Sequence, residues 1–154
     1  FEEYIPCQVT LTGIGKVEHL DNAGSVPVAP VGGVVSRQAY MLRIPLDFEY
    51  EKEIVEGTYY EYILTDTIAN IQIISLTAYD ESHPAGTDVN ELFMDYPLRQ
   101  EDQLTDYKYG YTYGTVFYKI PRTLPQAGVH RFKVVVTTRK GEEFTKETDE
   151  ITMQ

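Results

Sequence analysis

Between Tyr40 and Tyr50 apolar and polar positions alternate without a slip. Tyr40, Leu42, Ile44, Leu46, Phe48 and Tyr50 share one parity, and Met41, Arg43, Pro45, Asp47 and Glu49 share the other. A period of two over that length predicts a strand with one buried face, because successive side chains of an extended chain point to opposite sides. Pro45 has no N–H to offer a ladder, so the strand is expected at a sheet edge or broken there. The same period appears upstream. Cys7, Val9 and Leu11 alternate, and Gly13 and Gly15 permit a bulge that turns Ile14 back inward, so residues 7–18 read as a strand. Residues 19–37, rich in Gly and Pro, read as a long extended loop.

Further along, Thr58–Leu64 is a short strand after a charged turn, and Ile68–Tyr79 reads as a central strand. One helical signal interrupts the β pattern. Asp88 can cap an N-terminus, Glu91 stands three positions on, and Val89, Leu92 and Phe93 fall on one stripe, so a short helix is expected near 88–95, ended by Pro97. Residues 107–120 return to alternation. The last thirty residues read as a hairpin: Phe132, Val134 and Val136 alternate, the turn is Arg139–Glu142, and a return strand runs from Phe144 to Met153 with a bulge near 147–149. About seven strands predict a single all-β domain over 1–154, an antiparallel β-sandwich with Greek-key connections, with residues 1–6 as an N-terminal tether. A barrel is the alternative.

Charge narrows the partners. The net charge is −11, and residues 47–106 hold fifteen acids against two bases. That balance argues against binding a nucleic-acid backbone or an anionic membrane surface. Residues 107–141 hold seven bases and no acid, which leaves room for a local anionic ligand or for pairing with the acidic block. A single cysteine excludes an internal disulfide, and its place beside Val9 and Leu11 predicts a buried thiol.

Residues arranged for chemistry are few. Three histidines, His19, His83 and His130, lie far apart, and no Gly-x-Ser-x-Gly, His-x-x-x-His, Cys-x-x-Cys or phosphate-binding glycine motif occurs. No catalytic residue and no cofactor is therefore expected. Asp80, Glu81, Asp88 and Glu91 could bring carboxylates to one loop, as a hard cation requires, but their spacing matches no EF-hand and Asp88 and Glu91 already have a capping role. The most distinctive stretch is Tyr107-Lys-Tyr-Gly-Tyr-Thr-Tyr-Gly. In a strand, Tyr107, Tyr109, Tyr111 and Tyr113 share one face, an amphipathic platform suited to a sugar ring or a protein surface. The same row could instead pack inward as core.

The segment from Leu124 to Val136 resembles the E–F corner and F strand of an immunoglobulin-like domain, a likeness that covers residues 114–153. His130 or Phe132 stands where that family commonly has a corner Tyr, and the Cys…Trp…Cys core of antibody domains is absent. The whole chain resembles the small β-rich domains of exported Bacteroidetes-type lipoproteins. That resemblance implies export, placement at the cell surface or in the periplasm, and a lipid anchor upstream of Phe1 as the only membrane contact. The chain opens at Phe1, which reads as a processed or trimmed start. Three functions follow. The first is a non-catalytic module that binds a protein or carbohydrate through the Tyr row and nearby loops. The second is a structural spacer or subunit. The third is a glycan-active enzyme with a carboxylate pair. Exposure of the four Tyr separates the first two, and a deep pocket with facing carboxylates would favour the third.

Overall fold

The computed structural model describes residues 3–97, 103–105 and 112–154, with side chains described in all of these except 103–105, 112 and 113. The chain is all-β, with mixed sheets that curl as a half-barrel. Its strands are β1 (Ile5–Ile14), β2 (Glu18–Asp21), β3 (Val34–Val35), β4 (Tyr40–Tyr50), β5 (Tyr60–Leu64), β6 (Ile68–Ser75), β7 (Phe93–Asp95), β8 (Gln103–Thr105), β9 (Thr112–Gly114), β10 (Val116–Pro121), β11 (Gly128–His130), β12 (Phe132–Thr138), β13 (Glu143–Glu147) and β14 (Ile151–Met153). The largest sheet has the order β5-β1-β4-β10-β7, with β2 also paired to β4. Two three-stranded sheets, β13-β12-β6 and β11-β14-β3, and the two-stranded β8-β9 complete the described fold.

Alternation places the core. The inward parity of β4 supplies Tyr40, Leu42, Ile44 and Leu46, and β12 answers with Phe132, Val134 and Val136. Ile73 of β6, Leu11 and Ile14 of β1, and Ile151 and Met153 of β14 join the same cluster. Leu11 and Ile14 have opposite parity, and both are buried because the register with β4 shifts between Leu11 and Gly13. The expected bulge is therefore present, with Thr12 as the extra residue. Cys7 is fully buried, as are its alternation partner Val9 and, almost fully, Leu11.

Several expectations need correction. The strands number fourteen among the described residues, not seven, because short segments such as β2 and β3 carry no period of their own. Pairing is not wholly antiparallel: β1 pairs β5 in parallel, and so does β14 with β3. Residues 51–59 carry the chain past β1 to its far edge instead of closing a tight hairpin, and this sets the parallel direction. The short helix near 88–95 does not form. A single 3-10 turn spans Asn90–Leu92 and the chain then extends into β7. The Asp88 carboxylate accepts from the Ile73 N–H (3.2 Å) and the Asn90 N–H (3.0 Å), so it ties this turn to β6 and caps no α-helix.

Strand β4 is neither at an edge nor broken, despite Pro45. On the β10 side Pro45 lies opposite Val116. On the other side β1 ends at Ile14 and β2 begins at Glu18, so the missing N–H falls in the gap between two partners. The Pro45 carbonyl still accepts from Gly15 N–H at 2.8 Å there. Ile68–Tyr79 is shorter than expected, and its strand β6 is the end member of its sheet. The terminal hairpin has the expected turn, with Gly141 at φ 91 and Thr137 opposite Glu143. Its return strand does not run on to Met153. It stops at Glu147, and Thr148 steps the chain into another sheet: its N–H donates to Phe132 O (2.8 Å) and its hydroxyl accepts from Phe132 N–H (3.0 Å).

Candidate functional site

The outward parity of β4 is not a plain solvent face. Register pairs Glu18 of β2 with Arg43 of β4, and Arg43 with Tyr118 of β10. Tyr96, just beyond β7, donates its N–H to the Tyr118 carbonyl at 2.8 Å. One line across the sheet thus carries a carboxylate, a guanidinium and two phenols. The adjacent line is apolar: Leu20 pairs with Met41, and Ile120 pairs with Met94. Leu20, Met41, Val116 and Tyr118 form a second buried cluster, with Ile120 packed against it, on the opposite side of the sheet from the main core.

This face holds a cleft of about 680 Å³. Its floor includes Leu20, Met41 and Tyr118, and Arg43 and Tyr96 line it as well. The wall is the loop after β2, which brings Asn22, Ser25 and the exposed Val26. That loop is held back against the sheet by two bonds between Asp21 and Val28, at 2.7 and 3.0 Å. The size lies within the ~300–1,000 Å³ usual for small-ligand sites. Arg43 stands 4.0 Å from Glu18 with both side chains part-exposed, a contact that is weak at a wet surface. A smaller hollow of about 280 Å³ shares Tyr96 and Tyr118 and reaches Asp95, whose carboxylate receives the Lys119 ammonium at 2.7 Å.

The Tyr row lies mostly outside the described residues: Tyr107, Tyr109 and Tyr111 all do. Tyr113 belongs to β9, where its backbone pairs with Leu104 of β8. Only Thr115 separates β9 from β10, so the β8-β9 pair leads directly into the strand that floors the cleft.

The four carboxylates considered for a cation are not gathered. Asp80 accepts from Ser82 N–H (2.9 Å) and faces His83 Nδ1 (2.7 Å), which holds its carboxyl below the usual range. Asp88 is engaged as described above, and Glu81 and Glu91 are exposed. No group of three His, Cys, Asp or Glu able to hold a metal stands among the described residues. His19 and His130 are part of the packing. His19 bridges the Tyr40 hydroxyl (2.6 Å) and the Asp149 carbonyl (2.7 Å), and His130 bonds the Gln126 carbonyl (2.7 Å). Tyr79, buried beside His130, donates its hydroxyl to Thr123 O at 2.5 Å, and burial raises its pKa.

Sequence reasoning missed the cleft because its parts come from positions 18–27, 41–43, 96–97 and 118, and only register unites them. A faint signal existed: Met41 is a large apolar residue on a mostly polar parity. Among the described residues no helix is long and apolar enough to cross a membrane. No curated protein and no solved structure matches the chain. A family model does match, over residues 14–149, and the chain belongs to that family, described as Domain of unknown function (DUF5034).

Proposed function

We propose that this domain is a non-catalytic interaction module that binds a protein or glycan partner at the outer face of its largest sheet. The observation that carries the reading is the cleft over Leu20, Met41 and Tyr118, with Arg43 and Tyr96 beside it. Its lining mixes apolar floor, aromatic side chains and a few convergent polar groups, the usual make-up of a recognition site. The β8-β9 pair that leads into the cleft's floor strand is continuous with the segment bearing Tyr107, Tyr109, Tyr111 and Tyr113. The proposed binding region extends to this Tyr row: Tyr107, Tyr109, Tyr111 and Tyr113 add to the same recognition. The described lining contains a single charged side chain and no carboxylate, which favours recognition over acid–base chemistry.

The finer fold belongs to the same proposal: an immunoglobulin-like Greek-key sandwich. Separate sheets contributing to one cluster support it, as does the turn at Gly128 (φ 130) leading through His130 into β12. The setting is the surface or periplasm of a bacterium, through export and a lipid anchor, as the resemblance to exported lipoproteins implies.

The test uses immobilised wild type and an Arg43→Ala/Tyr96→Ala variant, each exposed to neutral polysaccharides, to pectin and to a cell-surface protein extract. Retention of any of these by wild type, lost at least tenfold in the variant, is the expected result. Retention that the variant keeps, or none by either, returns the domain to a structural role.

A further inference from the structure

We infer that the cleft takes a neutral sugar unit, a hexose or N-acetylhexosamine, and not an acidic ligand or an extended peptide. The inference rests on the binding-module reading and names its ligand class. Three observations carry it.

First, charge. Among the described residues the lining's single charged group is Arg43, and Glu18 lies 4.0 Å from its guanidinium, so these two charges offset each other. The whole chain carries −11, a field that repels an anion approaching from solution. A neutral ligand meets neither obstacle.

Second, the chemistry of the lining. A sugar ring presents C–H surface on its faces and hydroxyls around its rim. The cleft's lining holds both kinds of group: Leu20 and Tyr118 in the nearly buried floor above Met41, the more exposed ring of Tyr96, and the polar residues Asn22, Ser25 and Arg43. An amide and a hydroxyl each donate and accept, as a sugar hydroxyl does, while the guanidinium supplies donors only. Aromatic side chains with a polar handle suit half-wet contacts of this kind.

Third, the backbone. A peptide bound as an added strand needs a free sheet edge. Strand β4 is paired on both sides, to β1 and β2 on one and β10 on the other, and β10 lies between β4 and β7. At β4 and β10 the floor thus offers side chains and no ladder, and only its margins, at β2 and β7, lie on outer strands.

The three methionines give a direct readout. Met41 is in the cleft floor, Met94 lies on the same face, and Met153 is buried in the main core. With methionine methyls labelled by 13C, the protein is titrated with glucose, galactose, mannose, N-acetylglucosamine and glucuronate. At least one neutral sugar is expected to shift the Met41 methyl saturably while Met153 stays still. Arg43→Ala, and separately Asn22→Ala, should weaken that response at least threefold with Met153 unmoved, and glucuronate should bind more weakly than glucose. The inference is overturned if no neutral sugar moves Met41, if glucuronate binds as tightly as glucose, or if neither variant weakens the response. Cleft-dependent capture of protein or pectin without any neutral-sugar shift would sink the ligand class and leave the binding module intact. No cleft-dependent capture of any kind would sink both.

Discussion

His19 and His130 are held neutral by where the fold puts them. Each offers one ring nitrogen to a carbonyl, Asp149 O and Gln126 O, so that nitrogen carries the proton. In His19 the other nitrogen is left to accept the Tyr40 hydroxyl, and in His130 it is buried with no partner among the described residues. Burial pulls both pKa values below 6.5, outweighing the carbonyl bonds that oppose it. The sign follows from linkage. The unfolded chain takes up these protons near pH 6.5 and the folded chain only at lower pH, so stability is full above that value and falls as pH drops through the window below it. Asp66 and Asp80 titrate lower, and what they contribute is lost only as pH falls beneath the ordinary carboxylate value of 3.8. Urea midpoints at pH 7.5 and 5.5 should show a larger acid-side fall for wild type than for His19→Gln. The background of acidic residues is the same in both proteins and cancels in the difference. An equal fall would remove His19 as the source.

At the scale of the element, β4 is the organising strand, and Gly15 is what lets two partners share one side of it. A Cβ at Gly15 would stand 3.0 Å from Pro45 Cγ and 3.3 Å from Asp47 Oδ1. Relief asks the Pro45 ring to change its pucker or the strands to part by a few tenths of an ångström. Gly15→Ala should therefore cost about 1–3 kcal/mol, the usual range for overpacking a tight site. Gly13 is the matched control, since a Cβ there meets nothing within 4 Å. Gly13→Ala should be neutral, or stabilise by up to ~1 kcal/mol through the unfolded chain. Denaturant melts of the pair check both, and equal losses would mean that close approach is not what Gly15 supplies. The alternation of residues 39–50 and 132–136 and the turn at Gly141 were legible in the sequence, because each is a local pattern with a local cause. Strand β2 was not: Glu-His-Leu-Asp has no period, and it becomes a strand only by continuing β1 along β4. The helix near 88–95 failed for a related reason. Asp88 has the chemistry of a cap, but a bond to β6 across the fold claimed its carboxylate.

The whole molecule sets two apolar clusters on opposite sides of one sheet, and this decides how the Tyr row should be tested. The main cluster joins β1, β4, β6, β12 and β14, and the smaller one lies beneath the cleft. The charged blocks meet where β7, the acidic side, pairs with β10, the basic side, through Asp95 and Lys119. The cleft is thus built at the seam where the two halves of the chain come together, and the β8-β9 pair leaves the sheet at that seam. A binding face there predicts that Tyr109 and Tyr111 contribute to recognition and little to stability. Tyr109→Ala plus Tyr111→Ala should keep the urea midpoint and slope of wild type and lose at least tenfold in partner capture. Were these rings core, each truncation would leave a cavity comparable to Phe→Ala, ~3–5 kcal/mol, and the midpoint would fall sharply at unchanged slope. The melt needs no knowledge of the partner. Met41→Ala calibrates it, because this side chain is fully buried in the smaller cluster, and its removal should cost ~2–5 kcal/mol. A double Tyr variant that melts like Met41→Ala would place the row in the structure and withdraw it from the binding region. A double variant that melts like wild type but no longer holds its partner would join the row to the cleft as one surface.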